Sequence, residues 1–248
     1  MPDVLTVEGL SKSFGGLAAL SDVSFSVERG EAFGIIGPNG AGKTTLFNVV
    51  TGFLRANAGT IRFQDEEISG LKPFQIVRKG LGRTFQLVHP VLDLSVRDNL
   101  LLPFYGKKGI AIGRAERDEQ VERLLTRIGL AGKAREPASR LNLGELRLLD
   151  IGRAILLRAE LLLLDEPFAG LFARDIERIS ALLAELCDGG LSLLIIEHRL
   201  EDLLRMVDRV MVMNFGKKIA EGPPDVVMRD ASVVEAYLGK DEPLFDEA

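Results

Sequence analysis

The sequence predicts an α/β fold that combines an N-terminal antiparallel β part, a parallel sheet and an inserted helical segment. Apolar runs at residues 32–36, 161–164 and 191–196 are short and separated by long segments, as in strands buried on both faces of a parallel sheet. Polar and apolar residues alternate in the segment Ser24–Val27, which is typical of a half-exposed antiparallel strand. Residues 87–140 do not show the strand pattern, and they include a segment whose apolar residues have the spacing of an α-helix.

Composition limits the class of protein. The chain has 248 residues with 36 acidic and 31 basic side chains, a formal net charge of −5. Because no apolar run reaches the ~18 residues that a membrane helix needs, we expect no membrane span. The mild acidity argues against nucleic acid as the main partner. One cysteine, Cys187, excludes an internal disulfide, and the N-terminus has no signal-like apolar core, so we expect a cytoplasmic protein.

Two strands are predicted at the N-terminus, at residues 5–10 and 20–27. Phe14 lies between them, beside Gly15 and Gly16. Its ring could stack on a nucleotide base, or it could pack on the core as a loop aromatic. These residues alone leave both interpretations open.

A phosphate-binding motif follows the apolar run at residues 32–36 and precedes a predicted helix. It fits the pattern G-x-x-x-x-G-K-[ST] and comprises Gly37, Pro38, Asn39, Gly40, Ala41, Gly42, Lys43, Thr44 and Thr45. The glycines let backbone N–H groups turn toward phosphates, and the helix N-terminus adds partial positive charge. We expect Lys43 to reach the β- and γ-phosphates and the Thr44 hydroxyl to ligate Mg²⁺.

The remaining chain completes one domain over residues 1–248. Residues 59–63 predict another strand, and the helix predicted at 114–128 has Val121, Leu124, Leu125 and Ile128 on one face, with Gly129 as a C-cap. We therefore predict a nucleotide-binding core at about 1–86 and 141–240, a mostly helical subdomain at about 87–140 and a tail at 241–248.

Acidic side chains follow the buried strand Leu161–Leu164, at the end where open α/β sheets bind ligands. Asp165 is expected to serve as a Mg²⁺ carboxylate, and Glu166 to polarise a water against the γ-phosphate. The alternative, a solvated strand end, is disfavoured by the phosphate loop. His198 ends the next strand and is placed to donate to the γ-phosphate, whereas His89 has no such setting and is expected at the surface.

The order of these motifs resembles that of an ATP-binding cassette (ABC) ATPase over nearly the whole chain. The motifs are residues 37–44, Gln86, residues 141–145, residues 161–166 and His198. The resemblance implies a phosphate-loop (RecA-like) core and a head-to-tail dimer. Two ATP molecules, with Mg²⁺, would each lie between the phosphate loop of one subunit and the signature loop, residues 141–145, of the other.

The resemblance also implies roles for single residues, which are carried over from the matching positions of the family. Phe14 would stack on adenine, Gln86 would sense Mg²⁺ and the attacking water, Glu166 would be the catalytic carboxylate, and His198 would contact the γ-phosphate. Gln86 would also link the core to the helical subdomain.

A closer similarity is to the ATPases of branched-chain amino acid and short-amide importers. The segments that carry it are Phe14–Leu17, Thr44–Asn48, Gly82–Gln86 and Val234–Gly239. It implies an ATPase on the cytoplasmic face of the inner membrane, bound to two permease subunits and a second ABC ATPase, and indirectly served by a solute-binding protein. The alternatives are an ABC ATPase for lipid or polysaccharide export and a soluble ABC protein acting on DNA or ribosomes.

Two places depart from the family pattern, and both belong to the expected dimer face. The signature loop has Asn142 and Leu143 where Ser, followed by Gly or an aromatic residue, is usual. The segment after Glu166, residues 170–173, has Gly-Leu-Phe-Ala where a small polar residue or an Asn-Pro pair is usual. Asn142 and Glu145 fit a capping box, which leaves the Asn142 amide free to donate to a γ-phosphate beside Gly144. Because Leu143 is bulky, we expect a heterodimer with unequal sites.

Overall fold

The computed structural model describes residues 2–85, 90–105 and 112–238. Its strands are β1 Asp3–Phe14, β2 Leu17–Glu28, β3 Ala32–Ile36, β4 Ala58–Phe63, β5 Glu66–Glu67, β6 Leu81–Arg83, β7 Leu161–Asp165, β8 Ser192–Ile196, β9 Arg209–Asn214 and β10 Lys217–Gly222. Its α-helices are α1 Lys43–Val50, α2 Pro73–Arg78, α3 Val96–Leu101, α4 Arg114–Arg127, α5 Leu143–Leu156, α6 Ala173–Asp188, α7 Leu200–Leu204, α8 Pro224–Val227 and α9 Ala231–Leu238. None of the helices in these ranges has the length and apolar character to cross a membrane.

The strands form two sheets. An antiparallel sheet has the order β2-β1-β4-β5, and a second sheet has the order β10-β9-β3-β8-β7-β6. In the second sheet the five strands from β9 to β6 are parallel, and β10 is an antiparallel edge strand. The predicted α/β fold is confirmed, and β1 and β2 are longer than predicted, at 12 residues each.

Side chains of the parallel sheet alternate between two apolar cores. Phe33 and Ile35 of β3 belong to a core shared with the antiparallel sheet and α1, whereas Ala32 and Ile36 belong to a core shared with α3 to α8. Each face of these fully buried strands therefore has its own apolar partner, which explains the uninterrupted apolar runs in the sequence. Helix α1 is held between the sheets, with Phe47 fully buried.

The described part of the inserted segment is mostly helical, and its helices α3 and α4 pack on α5. Val121, Leu124 and Leu125 of α4 are buried as predicted, and Ile128 is buried just beyond the end of the helix. Gly129 has φ +65°, the left-handed conformation that ends a helix, which confirms the predicted C-cap. Helix α5 shares the core of α3 and α4, so the helix that follows the signature loop and the inserted segment form one packing unit.

Candidate functional site

The phosphate loop joins β3 to α1 in a conformation that requires glycine at two positions. Gly37 has φ +149° and Gly42 has φ +99°. A Cβ atom on Gly37 would lie 2.1 Å from the Met213 carbonyl oxygen, and one on Gly42 would lie 2.5 Å from the Ala19 carbonyl oxygen. Because glycine has no side chain, the loop backbone can approach these carbonyl oxygens closely. The loop then leads directly into the N-terminus of α1.

Lys43, the first residue of α1, is 5% exposed. Its Nζ donates to the carbonyl oxygens of Gly37 at 2.5 Å and Pro38 at 3.0 Å, so the loop curls around the ammonium group. Burial lowers the pKa of Lys43, and the nearby Glu166 and Asp165 carboxylates oppose that shift. The buried cation lies under the loop where a phosphate would need it.

A cavity of about 620 Å³ opens over this loop. The predicted residues Asn39 to Thr45, Glu166 and His198 all line it, together with Leu17, Ala18, Ala19 and Phe215. Its size suits a nucleotide, since ligand cavities typically measure about 300–1,000 Å³. Gln86 and His89 lie outside the described residues.

The aromatic residue nearest this cavity differs from the one that the sequence indicates. Phe14 is 45% exposed, does not line the cavity, and has Lys12 Nζ 5.1 Å from its ring centroid. It pairs with Leu17, which does line the cavity. Phe215 also lines it, in the β9–β10 turn, where Phe215 and Gly216 both have positive φ. Nothing in the sequence indicates that this turn reaches the phosphate loop.

Glu166 and His198 meet at the wall of the cavity, as the sequence predicts for neighbouring strand ends. His198 Nε2 lies 2.9 Å from Glu166 Oε1. Glu166 has φ +49°, a strained conformation for a residue with a side chain, and its N–H donates to the Ile196 carbonyl oxygen at 2.9 Å. The parallel pairing of β7 with β8 therefore fixes both residues at one edge of the sheet.

Asp165 forms a buried ion pair that the sequence does not reveal. Arg83 Nη2 donates to Asp165 Oδ2 at 2.8 Å, and the two side chains are 6% and 7% exposed. Arg83 Nη1 also donates to Asn48 Oδ1 at 2.8 Å and Thr51 Oγ1 at 3.0 Å in the last turns of α1. Its guanidinium lies 4.8 Å from the centroid of the Phe85 ring. Asp165 is thereby tied to α1 and β6.

Arg147 is a second buried arginine that the sequence does not single out. It projects from α5, is 3% exposed, and donates to the carbonyl oxygens of Phe85 at 2.7 Å and Glu166 at 3.4 Å. The helix that follows the signature loop is thus linked to the segment before Gln86 and to Glu166.

The signature loop has the capping box expected from the sequence. Asn142 Oδ1 accepts from the Glu145 N–H at 2.9 Å, and Glu145 Oε2 accepts from the Asn142 N–H at 3.1 Å. Lys133 Nζ lies 2.7 Å from Glu145 Oε1. Gly144 is buried, and a Cβ there would lie 2.6 Å from the Asp175 Cγ. Neither Asn142 nor Gly144 lines this chain's own cavity.

The two segments that depart from the family pattern lie close together at Leu143 and Gly170. Leu143 is 42% exposed, and its Cδ2 lies 3.1 Å from the position of a Cβ on Gly170. Phe172, two residues beyond Gly170, is 82% exposed. These apolar side chains therefore form part of the exposed surface beside the signature loop.

The donor groups suit Mg²⁺ that is bound largely through phosphates. Among the described residues, no three His, Cys, Asp or Glu side chains gather to hold a metal ion by themselves. Mg²⁺ typically takes one or two protein oxygens and completes its shell with phosphate oxygens and water. The exposed Thr44 hydroxyl in the cavity wall and the Asp165 carboxylate are oxygen donors of this kind.

Comparison with known proteins points to one family. A family model described as ABC transporter matches residues 20–169, and one described as branched-chain amino acid ATP-binding cassette transporter matches residues 217–243. The chain is 38% identical to the high-affinity branched-chain amino acid transport ATP-binding protein LivG of Salmonella typhimurium, covering 96% of this chain and 98% of that protein. It is 37% identical to the corresponding protein BraF of Pseudomonas aeruginosa, with the same coverage.

Solved structures give the same result. A nucleotide-free ATP-binding cassette from an ABC transporter aligns with a TM-score of 0.85 and 34% identity, covering 96% of this chain and 100% of that one. A structure described as the ADP conformation of an ATP-binding cassette of an ABC transporter aligns with a TM-score of 0.86 and 35% identity, covering 97% of this chain and 100% of that one.

The Arg83–Asp165 pair generates a stability prediction. Arg83→Met keeps an apolar stem but leaves a buried carboxylate without its cation, which should cost about 3–5 kcal/mol of unfolding free energy. Urea unfolding followed by circular dichroism measures this loss. The matched control is Arg29→Met, because Arg29 pairs with Glu160 at the surface, where both side chains are about half exposed and a pair contributes only about 0–1 kcal/mol. Equal losses in the two variants would contradict the argument.

Proposed function

The chain belongs to the ABC transporter family and is an ATPase, and on this premise we propose that it energises a membrane importer of branched-chain amino acids or related small amino acids and amides. The observation that carries the proposed chemistry is the 2.9 Å contact of His198 with Glu166 at the wall of the phosphate-loop cavity. The cargo class is supported by the similarity to LivG and BraF and by the family match at residues 217–243.

ATP hydrolysis is assigned to the residues of that cavity. The loop N–H groups and Lys43 bind the β- and γ-phosphates, and Glu166 lines the same cavity. Glu166 accepts a hydrogen bond from a water, orients it for attack on the γ-phosphorus and receives its proton, while ADP leaves. His198 donates to the γ-phosphate. Thr44, Asp165 and Gln86 would hold Mg²⁺, which would neutralise phosphate charge during the reaction.

The adenine is assigned to the mouth of the same cavity. Phe14 retains its proposed stacking role, because its strand partner Leu17 lines the cavity and Phe14 itself is half exposed. Leu17 and Phe215 supply the apolar surface around the base.

A second ABC ATPase subunit is the first proposed partner. Asn142 and Gly144 lie outside this chain's own cavity, so they would act on ATP held by the partner in a head-to-tail dimer. The exposed Leu143 and Phe172 lie on that face and would meet the partner there. Their bulk supports a heterodimer with unequal sites.

Two permease subunits are the other proposed partners, which places the chain peripherally on the cytoplasmic face of the membrane. A groove of about 360 Å³ between the core and α5 is lined by Arg83, Phe85, Leu102, Pro103, Asp150, Arg153, Ala154 and Leu157. Phe85 is 38% exposed and contacts the exposed Phe53 edge to face, with ring centroids 5.7 Å apart. A groove lined by both apolar and charged side chains suits a short amphipathic helix of a permease, and a solute-binding protein would take part indirectly.

Nucleotide binding is tested through Lys43. At MgATP about a hundredfold above Kd, the wild-type chain should gain about 2.7 kcal/mol of stability. Lys43→Ala should abolish most of that gain, because the buried cation under the loop is lost. Thermal melts with and without MgATP measure it, with Lys72→Ala as an exposed-lysine control that should keep the full gain. If MgATP does not change the melting temperature of the wild-type chain, the proposed nucleotide site is wrong.

Turnover is tested through Glu166. Glu166→Gln should leave ATP binding intact and lower kcat by about 10²–10⁴-fold, because the amide cannot take the water's proton. His198→Ala should also lower kcat, by removing the γ-phosphate donor. Steady-state phosphate release measures both, with Glu177→Gln on the exposed face of α6 as the control. Turnover within a fewfold of wild type would remove the affected residue from the proposed site.

Permease docking is tested through Leu157, which is 36% exposed at the edge of the groove. Leu157→Asp should weaken co-purification with the permease subunits by about tenfold, equivalent to about 1.4 kcal/mol, while the isolated chain keeps its ATPase activity. Val226→Asp, an exposed apolar residue outside the groove, is the control. Equal recovery of permease with both variants would argue against the groove.

A further inference from the structure

Glu197 is a buried carboxylate to which the proposed chemistry gives no task. It directly follows β8, is 2% exposed, and burial raises its pKa. Its Oε1 accepts from the Phe168 N–H at 2.6 Å. Its Oε2 accepts from the N–H groups of His198 at 2.9 Å and Arg199 at 3.2 Å. A buried carboxylate is costly unless it is well hydrogen-bonded, and here backbone donors meet both oxygens.

The donors belong to two different segments of the site. Phe168 lies two residues after Glu166, in the loop between β7 and α6, whereas His198 and Arg199 begin the loop between β8 and α7. One carboxylate therefore joins the segment that bears Glu166 to the segment that bears His198. These are the two residues whose side chains meet at 2.9 Å.

We propose that Glu197 is a positioning residue for ATP hydrolysis, which holds His198 in place against Glu166 and acts on turnover through His198. The inference rests on the proposed roles of Glu166 and His198. A carboxylate suits the task because it only accepts hydrogen bonds and has two oxygens, one for each segment. Glutamine has one oxygen and an NH₂ group, so in either orientation one segment would face a donor instead of an acceptor.

The test is a double-mutant cycle in the complete chain, comparing wild type, Glu197→Gln, His198→Ala and the double variant. Glu197→Gln should lower kcat by about tenfold or more with KM for ATP within about twofold, since a misplaced catalytic group can cost about 10²-fold. In the double variant kcat should stay within about twofold of His198→Ala, because Glu197 acts through a side chain that is then absent. A merely structural role would lower kcat by the same factor in both backgrounds.

Two results would overturn the inference. One is a Glu197→Gln variant with kcat within about twofold of wild type, and the other is a double variant in which the two losses multiply. Glu201→Gln, at the exposed start of α7, is the matched control and should be neutral. Should Glu197→Gln fail to fold, Glu197→Asp, which keeps both oxygens at a shorter reach, enters the same cycle with the same criteria.

The cycle also separates this inference from the proposed function. If His198→Ala alone keeps normal turnover, the assigned role of His198 fails and the inference fails with it. If His198→Ala slows turnover and Glu197→Gln does not, only the role of Glu197 fails.

Discussion

The parallel register of β3, β8 and β7 is the constraint on which the rest of the site depends. Ile35 pairs with Ile196, and Ile196 pairs with Asp165, so the three strands end at one level of the sheet. The phosphate loop, Glu166 and His198 each follow one of these ends. Because the strands are buried on both faces by separate cores, a shift in register would move apolar side chains to the wrong core, and the site is fixed by the packing of the whole domain.

Buried charged side chains connect these strand ends to the surrounding elements. Arg83 joins Asp165 to α1, Arg147 joins α5 to Glu166, and Glu197 joins the two loops that bear Glu166 and His198. Each of these groups costs free energy to bury unless its partners stay in place. Because Arg147 of α5 donates to the Glu166 carbonyl oxygen, the helix that follows the signature loop is hydrogen-bonded to the backbone of Glu166.

The phosphate loop, the capping box at Asn142 and the strand ends at Asp165 and His198 could be predicted, because each depends on a few residues that are adjacent in sequence. Helix ends depend on local backbone geometry and were predicted less closely: α4 ends at Arg127, one residue before the predicted end at Ile128. The Arg83–Asp165 pair was not predictable, because β6 has only three residues and shows no periodicity. Phe215 was missed because the phosphate loop, with which it lines one cavity, is distant in sequence, and Glu197 was missed because its donor Phe168 is distant as well.

The central claim is that the γ-phosphate of ATP lies over the phosphate loop, between Lys43 and the Glu166–His198 pair. A crystal structure of the Glu166→Gln variant with MgATP measures this most directly, because the substitution keeps the side-chain size and slows hydrolysis. The account predicts the γ-phosphate within hydrogen-bond distance of Lys43 Nζ and His198. A nucleotide bound elsewhere, or a γ-phosphate that contacts neither residue, would contradict it.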